Sequence, residues 1–265
     1  MASSCVSCMS SVASTICAIS ATLLIWPGSA SAQINVIISG GFSSAYERLL
    51  PEFEQSTGIK VATGSGASQG DGPQTIGAQL ARGVPADVVI LSREGLNGLI
   101  AAKRISAGTD VDLARTPTGV AVRAQAPKPD LGTVEAVKRA LLNSKVVAIP
   151  GSTSGIWLTT DLFPRLGIAG KINVKVIARG ADTAAMVATG DADIAILPLS
   201  EILSAKGVDF AGPLPDEIQF VQTFSAAVTA SSNDITGAKK LIAFLSSARA
   251  FDAVRKSGLE PVASK

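Results

Sequence analysis

Short apolar segments alternate with amphipathic ones along most of this chain, and this alternation restricts its fold more than any other feature. The first apolar segment, "INVIIS" (34–39), is followed by "SSAYERLLPEFEQSTG" (43–58), whose apolar residues have helical spacing. Strands that alternate with helices at intervals of about 25 to 30 residues are typical of parallel β-α-β units. The sequence therefore predicts an α/β fold. Two further pairs of predicted strand and helix are "IKVATG" (59–64) with "DGPQTIGAQLARG" (71–83), and "ADVVILS" (86–92) with "REGLNGLIAAKR" (93–104).

Two long extended segments divide this pattern. The first, at 116–132, is followed by a second series of strands and helices, and the other, at 217–230, precedes two final helices. We interpret this as two lobes joined by a double-stranded hinge, with a cleft between them that closes over a small ligand. The alternative is one continuous sheet of about ten strands, which is large for a twisted open sheet. The predicted boundaries are 33–115 with 227–265 for lobe I, and 116–226, including hinge strands, for lobe II.

The first 32 residues contain no charged side chain. An apolar run is followed there by "PGSASAQ", in which Ala30, Ser31 and Ala32 form an A-x-A pattern before Gln33. This arrangement predicts a cleaved secretory signal at 1–32 and a periplasmic location. The alternative is a short membrane anchor, although the run is shorter than a spanning helix requires.

Residues 33–265 contain neither cysteine nor histidine, because all three cysteines lie in the first 32 residues. This composition excludes zinc sites with nitrogen and sulfur ligands, cysteine nucleophiles and Ser-His triads. The formal net charge of +2 is too small to indicate nucleic-acid binding. We expect a monomer with no metal and no cofactor.

Several short motifs resemble those of periplasmic solute-binding proteins with the molybdate-binding type of fold. The matching segments are Phe53-Glu54, "TGIKV" (57–61), "GAS" (66–68) and "GVPADV" (83–88). The resemblance implies a bilobal type II binding-protein fold, export from the cytoplasm, and a small anionic ligand between the lobes. It also implies delivery of that ligand to an ABC-type membrane permease.

The chain also departs from the pattern of that family. Its first turn reads "SGGFS" (39–43) where the family has Ala-x-Ser-Ser, and a strand that tends to end with tyrosine there ends with Leu197 and Pro198. The turn "GSTSG" (151–155) adds three hydroxyl groups. These differences favour a larger anion with one or more carboxylates over a metal oxyanion. Periplasmic aconitate isomerases are similar to the same fold family.

Four turns fall where ligands bind in parallel α/β units, beyond the carboxyl ends of the strands. Backbone N–H groups, helix N-termini and hydroxyl groups at these positions favour anions, and arginine suits a carboxylate. Each turn can also be interpreted more simply as a helix cap. Arg93 can likewise be interpreted as forming an ion pair with Glu94 or Asp110. Trp157 is expected to pack in the core. The predicted ligand-binding residues are Ser39, Gly40, Gly41, Phe42, Ala67, Ser68, Ser92, Arg93, Ser152, Thr153, Ser154, Arg179 and Pro198.

Two functions are consistent with these features. The first is a binding protein that captures a small carboxylate or oxyanion for a transporter. The second is an isomerase that shifts a proton along the allylic system of an unsaturated polycarboxylate such as aconitate, which requires a base. The candidate bases are Glu201, Asp71, Tyr46 or a serine, and the sequence does not choose among them.

Overall fold

The structure, a computed structural model, describes residues 33–263. The predicted signal segment at 1–32 lies outside the described residues. Within 33–263 the strands are β1 (Gln33–Ile38), β2 (Lys60–Ser65), β3 (Val88–Ser92), β4 (Val111–Arg123), β5 (Val147–Pro150), β6 (Val174–Ile177), β7 (Ile194–Pro198), β8 (Val208–Pro213), β9 (Val221–Val228) and β10 (Glu260–Pro261). The helices are α1 (Gly40–Thr57), α2 (Ile76–Ala81), α3 (Arg93–Ala101), α4 (Val134–Asn143), α5 (Thr153–Trp157), α6 (Phe163–Arg165), α7 (Gly180–Thr189), α8 (Leu199–Ser204), α9 (Ile235–Leu245) and α10 (Phe251–Lys256).

The strands follow the order β2-β1-β3-β9-β4-β7-β5-β6, with β8 and β10 paired to β4. Strand β1 is parallel to β2 and β3, and strand β5 is parallel to β6 and β7. We call these two sets, with their helices, the first and the second parallel unit. Strands β9 and β4 lie between them and are antiparallel to their neighbours. The α/β architecture predicted from the alternating pattern is therefore confirmed.

Two segments cross between the parallel units. Strand β4 pairs with β9 as far as Pro117, and from Thr118 onward it pairs with β7. The Thr118 side chain donates to the carbonyl of Phe220 at 2.8 Å, and the Thr118 N–H donates to Gln219 Oε1 at 2.7 Å. The two crossing segments are thus hydrogen-bonded to each other, as a double-stranded hinge requires.

The buried apolar side chains form separate clusters in the two units. One cluster is built around Phe42, Phe53 and Phe224, and another around Val147 and Leu162. The sheet is hydrogen-bonded continuously through both units, as in the alternative of a single sheet. The two units nevertheless have separate apolar cores. The exact lobe boundaries given above remain a prediction.

Helix α1 shows how the sequence determines these elements. Its buried residues include Phe42, Tyr46, Leu49 and Phe53, spaced so that they lie on one face of a helix. The helix ends at Gly58, whose φ of 71° is left-handed, and the Gly58 N–H donates to the carbonyl of Glu54. This face packs against the sheet and fixes the position of the helix N-terminus beside the cleft.

Four elements differ from what the sequence predicts. The helix predicted at 71–83 begins only at Ile76, because Thr75 caps it by accepting from the Ala78 N–H at 3.2 Å. The segment "TSGIWLTTDLFPRLGI" (153–168) has a helical pattern, but it contains a π-helical segment, Leu158–Leu162, where Pro164 has no N–H to continue the regular pattern. Helix α8 and strand β8 were not predicted. None of the described helices is long and apolar enough to cross a membrane.

Candidate functional site

A cavity of about 520 Å³ lies where the carboxyl ends of the strands of both parallel units converge. The first unit contributes turns after β1 and β2, and the second contributes turns after β5, β6 and β7. This is the position at which ligands bind in parallel α/β units. Among the predicted ligand-binding residues, those that line the cavity are Ser39, Gly40, Ala67, Ser68, Ser152, Thr153, Ser154, Arg179 and Pro198.

Several of these hydroxyl groups join the two parallel units. Ser152 Oγ of the second unit accepts from the Gln69 N–H of the first at 3.3 Å, whereas Ser68 Oγ accepts from the Ser92 N–H at 3.0 Å within the first unit. Thr153 Oγ1 donates to Gln69 Oε1 at 2.8 Å and lies 2.7 Å from Ser92 Oγ. Ser92 itself is fully buried and caps α3, so it supports the cavity wall without lining it.

Ser39 behaves differently from these bridging hydroxyls. It precedes α1 as the N-cap residue, but its side chain makes no capping hydrogen bond. Its Oγ is buried and has no partner among the described residues. A buried hydroxyl without a partner is costly, so this atom is available to a ligand.

Arg93 does not line the cavity, contrary to its prediction as a ligand-binding residue. Its Nη1 donates to Asp110 at 2.7 Å and its Nε donates to Asp112 at 2.8 Å. Ser225 Oγ donates to the same Asp112 carboxylate at 2.6 Å. The guanidinium is therefore held by two carboxylates at the base of β4, which is the ion-pair alternative extended by a second partner.

Gly41, Phe42 and Tyr46 lie in the core and not in the cavity wall. Phe42 is fully buried, and a Cβ at Gly41 would overlap the ring of Phe224. Tyr46 is buried with its hydroxyl 2.9 Å from Thr63 Oγ1, and burial raises its pKa to about 12. Such a group is a poor base near neutral pH.

Asp71, a candidate base, and Arg179, a predicted ligand-binding residue, differ in their position relative to the cavity. Asp71 is exposed and outside the cavity wall. Arg179 lines the cavity and also forms an ion pair with Asp182, with Nε 2.9 Å from Oδ2. Trp157 packs against the core of the second unit and stacks on Phe220, with ring centroids 4.9 Å apart, as its core prediction requires.

Glu201 is the acidic group that lies deepest in the cavity wall. It occupies the first turn of α8, directly after Pro198 ends β7. Oε2 is buried and makes no hydrogen bond with the described residues, and burial raises the pKa of the carboxyl to about 7. A carboxyl that titrates near neutrality can both accept and return a proton under physiological conditions.

The glycines that open two helices make room for this carboxyl group. A Cβ at Gly40, the first residue of α1, would lie 3.1 Å from Glu201 Oε1. A Cβ at Gly180, the first residue of α7, would overlap Glu201 Oε2. The Glu201 carboxyl therefore lies between the N-termini of two helices.

Sequence reasoning missed several side chains of the wall, including Gln222, Phe224, Glu47 and Lys206. Gln222 lies on β9, is 4% exposed, and its Oε1 is buried without a partner. Its only signal in the sequence is an amide within the apolar run "QFVQTFSAAV" (219–228). Phe224 forms part of the wall beside it, and Glu47 and Lys206 lie at exposed positions. Among the described residues, no group of three or more Asp, Glu, Cys or His is arranged to hold a metal ion.

The two parallel units, the paired crossing segments and the cleft between them define a periplasmic binding protein fold of type II. The chain belongs to the family of bacterial extracellular solute-binding proteins, which it matches over residues 34–260. The resemblance inferred from the sequence is therefore confirmed.

Known proteins similar to this chain include an enzyme and two binding proteins. It is 35% identical over 230 residues to aconitate isomerase from a Pseudomonas species, covering 86% of this chain and 88% of that protein. The periplasmic molybdate-binding protein of Azotobacter vinelandii superimposes with a TM-score of 0.69 at 19% identity, over 88% of this chain and 100% of that one. The sulfate-binding protein SubI of Mycobacterium tuberculosis superimposes with a TM-score of 0.66 at 20% identity, over 87% of each chain.

Proposed function

We propose that this protein isomerises an unsaturated polycarboxylate, with cis- and trans-aconitate as the substrate pair, and that Glu201 moves the proton. The observation that carries the proposal is Glu201 itself, a cavity carboxyl whose Oε2 is buried without a hydrogen-bond partner among the described residues and whose pKa is raised to about 7 by burial. Capture of an anion alone does not require a proton acceptor in the cavity. An allylic isomerase needs such a group as its base.

The chemistry requires one proton to change carbon atoms. Ionised Glu201 takes a proton from the CH₂ carbon beside a substrate carboxylate. The electron pair of that C–H bond forms the new double bond as the old one opens. The protonated Glu201 then gives a proton to the carbon at the other end of the allylic unit, so no oxidant or cofactor is consumed.

The negative charge that develops in this step needs stabilisation. The N-termini of α1 and α7 face the cavity, and each carries backbone N–H groups without helical partners. Arg179 adds a positive charge to the same wall. Preorganised donors of this kind stabilise enolate-like intermediates.

Similarity to the Pseudomonas aconitate isomerase supports the substrate assignment, since it extends over most of both chains. The family supports a location outside the cytoplasm, and we propose export through the signal predicted at 1–32 and a monomeric state. The anion-binding neighbours support a small anionic ligand.

The decisive experiment measures interconversion of cis- and trans-aconitate by the purified protein, followed by proton NMR. We expect turnover by the wild type and a loss of about 10²-fold or more in E201Q. The E201Q protein must retain its thermal melting curve, so that the loss reflects chemistry. Absence of turnover in the wild type, or normal turnover in E201Q, would reject the proposal.

A second candidate function is capture of a carboxylate for delivery to a membrane permease. The hydrogen bonds that join the units beside the cavity favour it, because hinge closure over a solute is how binding proteins retain their ligands. Tight binding of aconitate, with no interconversion over many hours, would support this function in place of the first.

A further inference from the structure

The N-termini of α1 and α7 are the natural anion-binding features of this cavity. Gly40 and Ala181, in the first turns of these helices, both line it. The helices contain 18 and 10 residues, so each has a substantial dipole. A bare tetrahedral oxyanion would be expected to bind there.

Glu201 already occupies that space. Its two carboxyl oxygens lie so close to Gly40 and Gly180 that a Cβ at either glycine would come within 3.1 Å of one of them. A dianion placed at these helix ends would meet a carboxylate at short range. The two negative groups would repel each other at this short distance.

Buried polar atoms without a partner among the described residues are a second feature of this wall. Ser39 and Gln222 are each 4% exposed, and within residues 33–263 neither Ser39 Oγ nor Gln222 Oε1 has a hydrogen-bond partner, nor does Glu201 Oε2. The oxygens of Gln222 and ionised Glu201 are acceptors, which only a ligand donor can satisfy. Fully ionised sulfate and molybdate carry acceptors alone and would leave both unsatisfied.

We propose that Glu201 is a specificity-determining residue that excludes fully ionised tetrahedral oxyanions from the N-termini of α1 and α7. The cavity then admits organic acids, which can turn a C–H or O–H group toward Glu201 while their carboxylates contact the rest of the wall. This inference rests on the same cavity as the proposed function but concerns binding, independently of turnover. Repulsion by the Glu201 carboxylate would distinguish this chain from proteins that bind oxyanions.

The test is a calorimetric titration of wild type, E201Q and E201A with sodium sulfate and sodium molybdate at about pH 9, without aconitate. This pH lies above the Glu201 pKa of about 7, so the carboxyl is ionised. We expect the affinity of E201Q and E201A for one or both anions to exceed that of the wild type by at least about tenfold. E47Q is the matched control, since it removes a carboxylate from an exposed position of the wall, and its affinity is expected to change by less than about threefold.

Three outcomes would overturn the inference. One is micromolar binding of sulfate or molybdate by the wild type, which needs no variant. Another is a folded E201Q, judged by its melting curve, that gains no affinity for either anion. The last is an equal gain in E47Q, which would assign the effect to overall charge. Failure of wild-type turnover with aconitate would reject the proposed function and leave this comparison standing.

Discussion

The side-chain oxygens of Ser92 and Thr153 lie 2.7 Å apart, although the residues are 61 positions apart in sequence and belong to different parallel units. Both residues are buried, and Thr153 also donates to Gln69 Oε1 at 2.8 Å. These bonds hold the two walls of the cavity together at one side.

Replacing Thr153 with valine removes both bonds at nearly constant volume and leaves the Ser92 hydroxyl without this partner. We expect T153V to lower the free energy of unfolding by about 1–3 kcal/mol, the usual cost of an unsatisfied buried polar group. Urea denaturation measures this change. T153S keeps the hydroxyl and should lose clearly less, and equal losses in the two variants would contradict the role of the hydrogen bonds.

Arg93 is expected to matter for stability and not for ligand binding. Its side chain is 24% exposed, and its partners Asp110 and Asp112 are 33% and 35% exposed, so solvent weakens the ion pairs. R93M should lower the free energy of unfolding by about 1–2 kcal/mol. R93K, which keeps the charge, should lose less.

The affinity for aconitate provides the second readout for Arg93. Because the guanidinium is outside the cavity wall, the dissociation constant of R93M should stay within about threefold of the wild type. Isothermal titration calorimetry on the folded variant measures it. A large loss of affinity would restore Arg93 to the ligand-binding residues.

The turn residues line the cavity as predicted, whereas Arg93 does not, and this contrast shows which parts of the site the sequence could predict. Apolar runs and small-residue turns predict strands and strand ends, and these turns place Ser39, Ser68 and Ser152 around one cavity. Asp110 was one of the two partners left open for Arg93, but the other partner found, Asp112 on β4, lies 19 positions further along, and no local pattern identifies it. Local periodicity constrains the backbone but not the long-range pairing of charges.

One further error had a physical signal in the sequence, whereas two omissions did not. Phe42, Tyr46 and Phe53 lie on one apolar face when α1 begins at Gly40. The correct helix start would therefore have assigned Phe42 and Tyr46 to the core. Gln222 was missed because a single amide in an apolar strand does not reveal which face it occupies. The short helix α8 gave no periodic pattern, so sequence could not select Glu201 among the candidate bases.

Glu201 should also make stability depend on pH. Its pKa is raised from 4.5 to about 7, so between these values the folded state binds more protons than the unfolded state. Stability is therefore expected to fall as the pH rises from about 4.5 to 7 and then to level off, by up to about 3 kcal/mol from this group. The difference in unfolding free energy between wild type and E201Q, measured by urea denaturation across this range, isolates the contribution. A difference that does not vary with pH would contradict the raised pKa.

Gly180 is required because the Glu201 carboxyl occupies the space where a side chain would begin. G180A should displace Glu201, and we expect a loss of about tenfold or more in aconitate turnover, since small misplacements of a catalytic group are costly. Gly98, inside α3, has no atom within 4 Å of its built Cβ. G98A should therefore stabilise the protein by about 0.5–1 kcal/mol through helix propensity and leave turnover unchanged. Melting curves and NMR assays on both variants separate the two effects, and a fully active G180A would contradict the position assigned to Glu201.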